Sequence, residues 1–352
     1  MADKEESQMQ AVKSVFRGVG HFVPPRVVTN NDLAALMDTS NEWIIERTGI
    51  QERRFVEPGV RTSDLAAEAC KAALGRSGLD AKDIDFIVAA TLSPDFFFPG
   101  IGTILQHRMG MSHVPALDIR AQCSGFVYGT ATADALIRTG QAKRVLLVCA
   151  EVQSKSLDLT TAGRDMAVLF GDGAAAVVIE AQTDGGDRKA MITDRNARGV
   201  IDSLLGSDGS GAEVLYMRSP GSATEGFVRH EDIDEKNIRP RMDGRIVFKN
   251  AVTRMSECVN TLLERNGVNA ADVALFFPHQ ANMRINEFLR EKLGLPKEKV
   301  FNNIERYGNT TAATIPICLS EAEQQGRLKQ GDLIVSVAFG AGFTWGANLI
   351  RW

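Results

Sequence analysis

What most constrains the fold of this chain is a faint internal repeat. Leu74-Gly-Arg-Ser-Gly-Leu-Asp-Ala-Lys-Asp-Ile-Asp-Phe-Ile87 aligns without a gap with Leu263-Glu-Arg-Asn-Gly-Val-Asn-Ala-Ala-Asp-Val-Ala-Leu-Phe276, with the Leu, Arg, Gly, Ala and Asp positions identical. Each copy reads as a helix end, a glycine stop, an Asp-capped turn and an apolar strand. A second match follows in the same order, where RTGQAKRVLLVCAE from Arg138 resembles KQGDLIVSVAFG from Lys329. Two matches in one order point to a duplicated fold, and 352 residues leave room for two halves of ordinary domain size. The seam is expected at the polar, glycine-rich Thr183-Asp-Gly-Gly-Asp-Arg188. That gives an N-terminal extension over 1–11, one half over 12–184 and a second over 185–352.

Within each half, apolar strand runs alternate with helical patterns. Strands are expected at Asp85–Ala90, Val114–Ile119 and Val145–Val148, and correspondingly at Leu275–Phe277, Val300–Asn302 and Leu333–Ala338. Helices are expected at Gly102–Met109, Cys123–Arg138, Ile246–Arg265 and Thr311–Gln325. The alternation predicts an α/β class with mixed sheets covered on both faces. Between 207 and 244 the pattern dissolves into Gly, Ser and charges, the composition of a functional loop or of disorder.

Several function classes drop out. Forty Lys and Arg against forty-four Asp and Glu give a net charge of −4, which excludes a strongly basic nucleic-acid binder. The charged start MADKEESQMQ has no apolar core for a signal peptide, and the uncharged Leu333–Ile350 stretch is broken by three glycines, so no membrane span is expected. Five cysteines without a C-x-x-C pair argue against a disulfide framework or a zinc site, and for a cytoplasmic protein. Gly171-Asp-Gly-Ala-Ala-Ala176 matches a dinucleotide fingerprint but runs into a strand instead of opening a helix, so it is assigned to backbone packing.

Three polar residues stand at element ends. Cys123 sits between a strand and a small-residue helix, where the helix N-terminus favours the thiolate nucleophile. His279 ends a strand in LFFPHQANMRI and aligns with Ala90 of the first copy, whereas His21, His107, His113 and His230 lack such a setting. Asn309 opens a helix after Tyr307-Gly308; such an Asn is ordinarily an N-cap, but the repeat puts it near the position that Cys123 holds in the first half. Face-to-face halves would bring the three together. Gly340-Ala341-Gly342 follows an apolar strand and could supply oxyanion-hole N–H groups. The order Cys, His, Asn also occurs in papain-like hydrolases, but the local C-G-[SA]-C-[WY] signature is missing and the duplicated pattern does not suit them.

The motifs DTSNEWIIERTGIQERR, AQCSGFVYG, FGDGAAAV, PHQANMRI, YGNTTAAT and FGAGFTWGA occur in this order, and with them the chain from about Ser14 to Trp352 resembles the β-ketoacyl-acyl-carrier-protein synthase III family. The resemblance implies a thiolase-like fold, a duplicated α-β-α-β-α layered structure with two pseudo-symmetric halves. It implies a fatty-acid-initiating condensation: Cys123 takes an acyl group from acyl-CoA, and His279 and Asn309 stabilise the enolate formed when malonyl-acyl carrier protein loses CO2. The backbone N–H groups of Cys123 and Ala341 would form the oxyanion hole, with Ala341 standing where the family usually has Gly. Trp43, Arg47, Arg164 and Asn282 would hold CoA, Phe98 would reach the partner's acyl pocket in a homodimer, and Lys249 and Arg284 would meet the acidic carrier protein. No metal and no cofactor beyond the two thioester substrates is implied. The same motifs suit a condensing enzyme for a specialised metabolite such as a quinolone, a polyketide or a biotin precursor, and less well a Cys123-dependent thioester hydrolase. The extra length of 207–244 is expected to reshape the mouth and admit primers other than acetyl-CoA.

Overall fold

The computed structural model describes residues 12–183, 188–223 and 225–352. The expected extension over 1–11 and most of the expected seam lie outside the described residues. The first sheet holds β1 (Lys13–Phe22), β2 (Phe86–Ala90), β3 (Ala116–Ile119), β4 (Arg144–Glu151) and β5 (Gly173–Gln182), in the order β1-β5-β4-β2-β3. The second holds β6 (Gly199–Ser207), β7 (Leu275–Pro278), β8 (Leu333–Gly340) and β9 (Thr344–Arg351), in the order β6-β9-β8-β7. Strand β2 runs parallel to β4 as β7 does to β8, and the next two pairings outward are antiparallel in both sheets. The duplication read from the sequence is therefore a duplication of sheet topology.

The main helices are α1 (Asn41–Thr48), α2 (Thr62–Ser77), α3 (Ile101–Arg108), α4 (Gly125–Arg138), α5 (Gly244–Arg265), α6 (Met283–Lys292) and α7 (Thr314–Gln324). Helices α2 and α3 cover the first sheet, α5 covers the second with α6 packed on it, and α4 and α7 lie between the sheets in contact with both. Strand β8 is buried from end to end, as its unbroken apolar run requires of a strand covered on both faces. Helix α7 is buried all round from Thr314 to Ala322 although it carries Thr, Ser and Glu. Each of these has a partner: Ser320 meets His21 Nδ1 at 2.8 Å, and Glu321 takes Arg306 Nη2 at 2.7 Å and the Tyr307 hydroxyl at 2.6 Å. A buried polar residue is tolerated when so satisfied.

Three expectations change in detail. The strand expected at Val300–Asn302 is only a single bridge from Val300 to Phe276, extended by the Phe301 N–H bond to the Phe276 carbonyl at 3.0 Å. The Gln280 side chain takes the place of further pairing, donating to the Phe301 carbonyl at 3.3 Å and accepting the Asn303 N–H at 3.2 Å. The two central helices do not begin at Cys123 and Thr311: tight 3-10 turns at Gln122–Ser124 and Thr311–Ala313 precede them. Segment 207–244 carries order of its own. Leu215–Tyr216 pairs with Arg241–Met242, and a short helix spans His230–Asp234. Gly171 is a packing residue, since a Cβ there would lie 2.2 Å from the Tyr307 carbonyl oxygen, and Gly173 opens β5 rather than a helix.

Candidate active site

Cys123, His279 and Asn309 line one cavity of about 690 Å³ at the meeting of the two halves. Cys123 sits in the turn between β3 and α4, after Gln122 with φ +46°. The end of β8 passes flush against it: a Cβ on Gly340 would lie 3.0 Å from the Cys123 nitrogen and 3.2 Å from its Cβ. Only glycine permits that approach. Behind the turn, a Cβ on Gly125 would meet the Ala312 Cβ at 2.9 Å, so the two central helices start nearly in contact.

Asn309 does not have the ordinary role of an N-cap, which falls to Thr310. Its backbone is pinned by bonds to Leu169 and Gly171, and its Oδ1 accepts the Thr311 N–H at 2.8 Å. With the oxygen engaged, its amide NH2 is left for the Cys123 thiol, on which Asn309 acts to lower the pKa. His279 follows β7 and continues its ladder, donating its N–H to the Val337 carbonyl at 2.8 Å. Its Nδ1 lies 2.7 Å from the Thr314 hydroxyl, and its Nε2 is buried without a hydrogen-bond partner.

Burial dominates the electrostatics. It pushes the Cys123 thiol up to about 12, helped by the nearby Glu151 carboxyl, while the Cys123 backbone and Asn309 pull less strongly the other way. Burial thus opposes the thiolate that the helix start favours. Burial likewise draws His279 down to about 3, so its ring is neutral at physiological pH. Glu151, at the end of β4, is itself raised by burial and held by Ser93 Oγ at 2.7 Å and Gln153 Nε2 at 2.9 Å.

At the mouth, the Arg47 and Arg164 guanidinium carbons stand 4.6 and 4.8 Å from the Trp43 ring centroid. Trp43, Arg47, Asn282 and Arg284 line the cavity. Asn282 has both ends engaged: its Oδ1 caps α6 through the Arg284 N–H at 2.9 Å, and its Nδ2 donates to the Arg47 carbonyl at 3.0 Å. A cap of this kind contributes about 1 kcal/mol. Ala341 is half-buried next to Gly340, and its carbonyl accepts from Thr344 Oγ1 at 3.2 Å. Leu215 and Met242 bring the ribbon of segment 207–244 onto the cavity wall. Lys249 and Phe98 lie away from the cavity. Lys249 borders a shallow groove with Phe248 and Phe288, and Phe98 is 80% exposed on a loop where Phe97 meets Phe227 edge-on at 4.8 Å.

Sequence reasoning passed over Thr311 and Thr314, which orient Asn309 and His279. Their signal was present: hydroxyls at two and five residues beyond Asn309, in a helix start that is otherwise Ala and Ile. It also passed over Gly340 in favour of its neighbour, because a glycine needed for close approach looks in sequence like one needed for a turn. Among the described residues no cluster of His, Cys, Asp and Glu could hold a metal ion, and no helix is long and apolar enough to cross a membrane.

Residues 117–209 match the family model described as 3-oxoacyl-[acyl-carrier-protein (ACP)] synthase III, and residues 263–352 match its C-terminal counterpart. A beta-ketoacyl-[acyl-carrier-protein] synthase III of Sinorhizobium medicae is 45% identical over 341 residues, covering 97% of this chain and 100% of the relative. One of Koribacter versatilis is 43% identical over 334 residues, covering 95% and 96%. The crystal structure of 3-oxoacyl-[acyl-carrier-protein] synthase III from Aquifex aeolicus superposes with a TM-score of 0.85 at 40% identity, covering 96% of this chain and 100% of that one.

Proposed function

The chain belongs to the 3-oxoacyl-[acyl-carrier-protein] synthase III family, and from that premise we propose how its own residues carry out an acyl-CoA-primed condensation with malonyl-acyl carrier protein. It is a carbon–carbon-bond-forming acyltransferase that initiates fatty-acid synthesis. The observation that carries the mechanism is the convergence of a thiol with a neutral imidazole and a primary amide in one buried cavity.

In the first stage the Cys123 sulfur attacks the thioester carbonyl of acyl-CoA. The new C–S bond forms as the CoA sulfur leaves, and the thiol proton ends on CoA. In the second stage the malonyl C–C bond breaks and CO2 departs. The electron pair is delocalised onto the thioester oxygen, which accepts hydrogen bonds from His279 Nε2 and the Asn309 amide. The enolate carbon attacks the acyl-Cys carbonyl, the oxyanion rests on the N–H groups of Cys123 and Ala341, and the Cys123 thiolate leaves and is reprotonated by solvent. A neutral imidazole suits this role, because a ring that does not take up a proton can still donate one hydrogen bond.

Trp43 stacks the CoA adenine after Arg164 swings from its face, while Arg47 stays beside the phosphates and Asn282 braces Arg47. Lys249 and Arg284 meet the acidic carrier protein. A second copy covers Phe98, whose exposure forgoes about 2 kcal/mol of burial. The reaction takes two thioester substrates and calls on no resident cofactor. The five free cysteines suit a cytoplasmic setting. Intact-protein mass spectrometry after incubation with acyl-CoAs from acetyl to dodecanoyl tests the first stage. One acyl adduct that is absent from Cys123→Ala is expected; CoA release without an adduct would favour hydrolysis.

A further inference from the structure

We propose that Thr314 is a positioning residue that fixes the tautomer of His279: its hydroxyl gives its proton to Nδ1, which leaves the ring N–H on Nε2, facing the cavity. The inference rests on the condensing role proposed for His279 and supplies what that role lacks, a reason for the ring to present a donor.

The Thr314 hydroxyl has one proton and two acceptors within reach, Nδ1 at 2.7 Å and the Thr311 carbonyl at 3.0 Å. An O–H donor favours about 2.7–2.8 Å, a length that the Nδ1 contact meets and the 3.0 Å approach to the Thr311 carbonyl exceeds, so we assign the hydroxyl proton to Nδ1. The Thr311 carbonyl has less need of that proton, since the Thr314 backbone N–H already closes the 3-10 turn onto it. Nδ1 has the Thr314 hydroxyl as its partner, deep in the core. With Nδ1 as acceptor, the buried and partnerless Nε2 carries the hydrogen. An N–H so placed is ready for an acceptor oxygen arriving in the cavity.

The same short turn treats Asn309 alike. The Thr311 N–H occupies Oδ1 at 2.8 Å, which leaves the NH2 group for the Cys123 side. Two neutral groups, each able to face the cavity as donor or acceptor, are thus both set as donors by residues 311 and 314. Because burial keeps the ring neutral, it carries a single N–H, and the nitrogen that bears it decides whether an enolate oxygen is stabilised or repelled. In a serine-protease triad, a wrong-tautomer histidine costs about 10⁴ in rate.

Nitrogen-15 NMR of histidine-labelled full-length protein reads the tautomer directly, with the His279 signals identified by their loss in His279→Gln. The expected wild-type spectrum has a pyridine-type Nδ1 and a pyrrole-type Nε2 at neutral pH. Thr314→Val should give a tautomer mixture and lower malonyl decarboxylation about 10- to 100-fold more than it lowers acyl loading of Cys123. Thr314→Ser should restore both. A pyrrole-type Nδ1 in the wild type overturns the proposal even where Thr314→Val does not fold, as does a Thr314→Val protein with unchanged spectrum and rates. Wild-type protein with the expected tautomer but no decarboxylation would instead count against the condensing role.

Discussion

Gln122 and Thr311 are pseudo-equivalent: each is the first residue of the 3-10 turn that leads into a central helix, and each has a left-handed φ, +46° and +45°. The residues that follow, Cys123 and Ala312, are therefore the true counterparts across the halves. Asn309 lies upstream of that position rather than on it, a refinement of the repeat alignment. Both junctions hold a non-glycine backbone where glycine is at ease, a strain of about 1–2 kcal/mol each. Replacing Gln122 with Gly is expected to raise thermal stability by about 1 kcal/mol while condensation slows, because the N–H of Cys123 is held less firmly. Calorimetry and turnover on the same sample check this; lower stability with unchanged turnover would contradict it.

Asn309→Asp keeps the shape of the amide but removes its NH2 donor and sets a carboxylate against the thiol. Condensation should fall about 100- to 1000-fold, and Cys123 should alkylate more slowly with iodoacetamide at any given pH. Unchanged alkylation would mean that Asn309 has no influence on the thiol.

His279 has a folded-state value of about 3 against an ordinary 6.5. Between these pH values the unfolded chain binds the extra proton and the folded one does not. The contribution of the neutral ring is therefore complete above about pH 6.5 and is lost as pH falls toward 3. In urea titrations His279→Gln should lose less stability than the wild type over this window; parallel profiles would refute the depressed value.

In the proposed mechanism Trp43 and Lys249 divide the two substrates. Trp43→Ala should raise the KM for acyl-CoA about 10- to 100-fold, the worth of one base stacked on an aromatic ring, and leave the KM for malonyl-acyl carrier protein alone. Lys249→Glu should do the reverse, with an effect that fades as salt rises. Steady-state kinetics with each substrate varied in turn separates them.

Much of this molecule was legible in its sequence, for identifiable reasons. The duplication showed because Gly78 and Gly267 both end a helix in the left-handed region, φ +70° and +64°, a requirement that few other residues meet. The three candidate residues that share the cavity stood out because each is at an element end, where a polar group among apolar runs needs a reason. What did not show is what needs three dimensions. The 3-10 turns lie where Gly125 of one half comes close to Ala312 of the other, a contact that sequence does not reveal. The upward push on the Cys123 thiol comes from burial and from Glu151, remote from it in sequence. The lost strand at Val300 depends on a side-chain amide that competes with backbone pairing.

The central claim is that one thiol, Cys123, carries the acyl group from CoA to the new carbon–carbon bond. The most direct test is a chase: load the protein with radiolabelled acetyl-CoA, remove free CoA by gel filtration, then add malonyl-acyl carrier protein. The label should leave the Cys123 peptide in a single turnover and appear on 3-ketoacyl-acyl carrier protein, with one CO2 released for each acyl group transferred. Label that stays on Cys123, or that leaves as the free acid, would contradict the account.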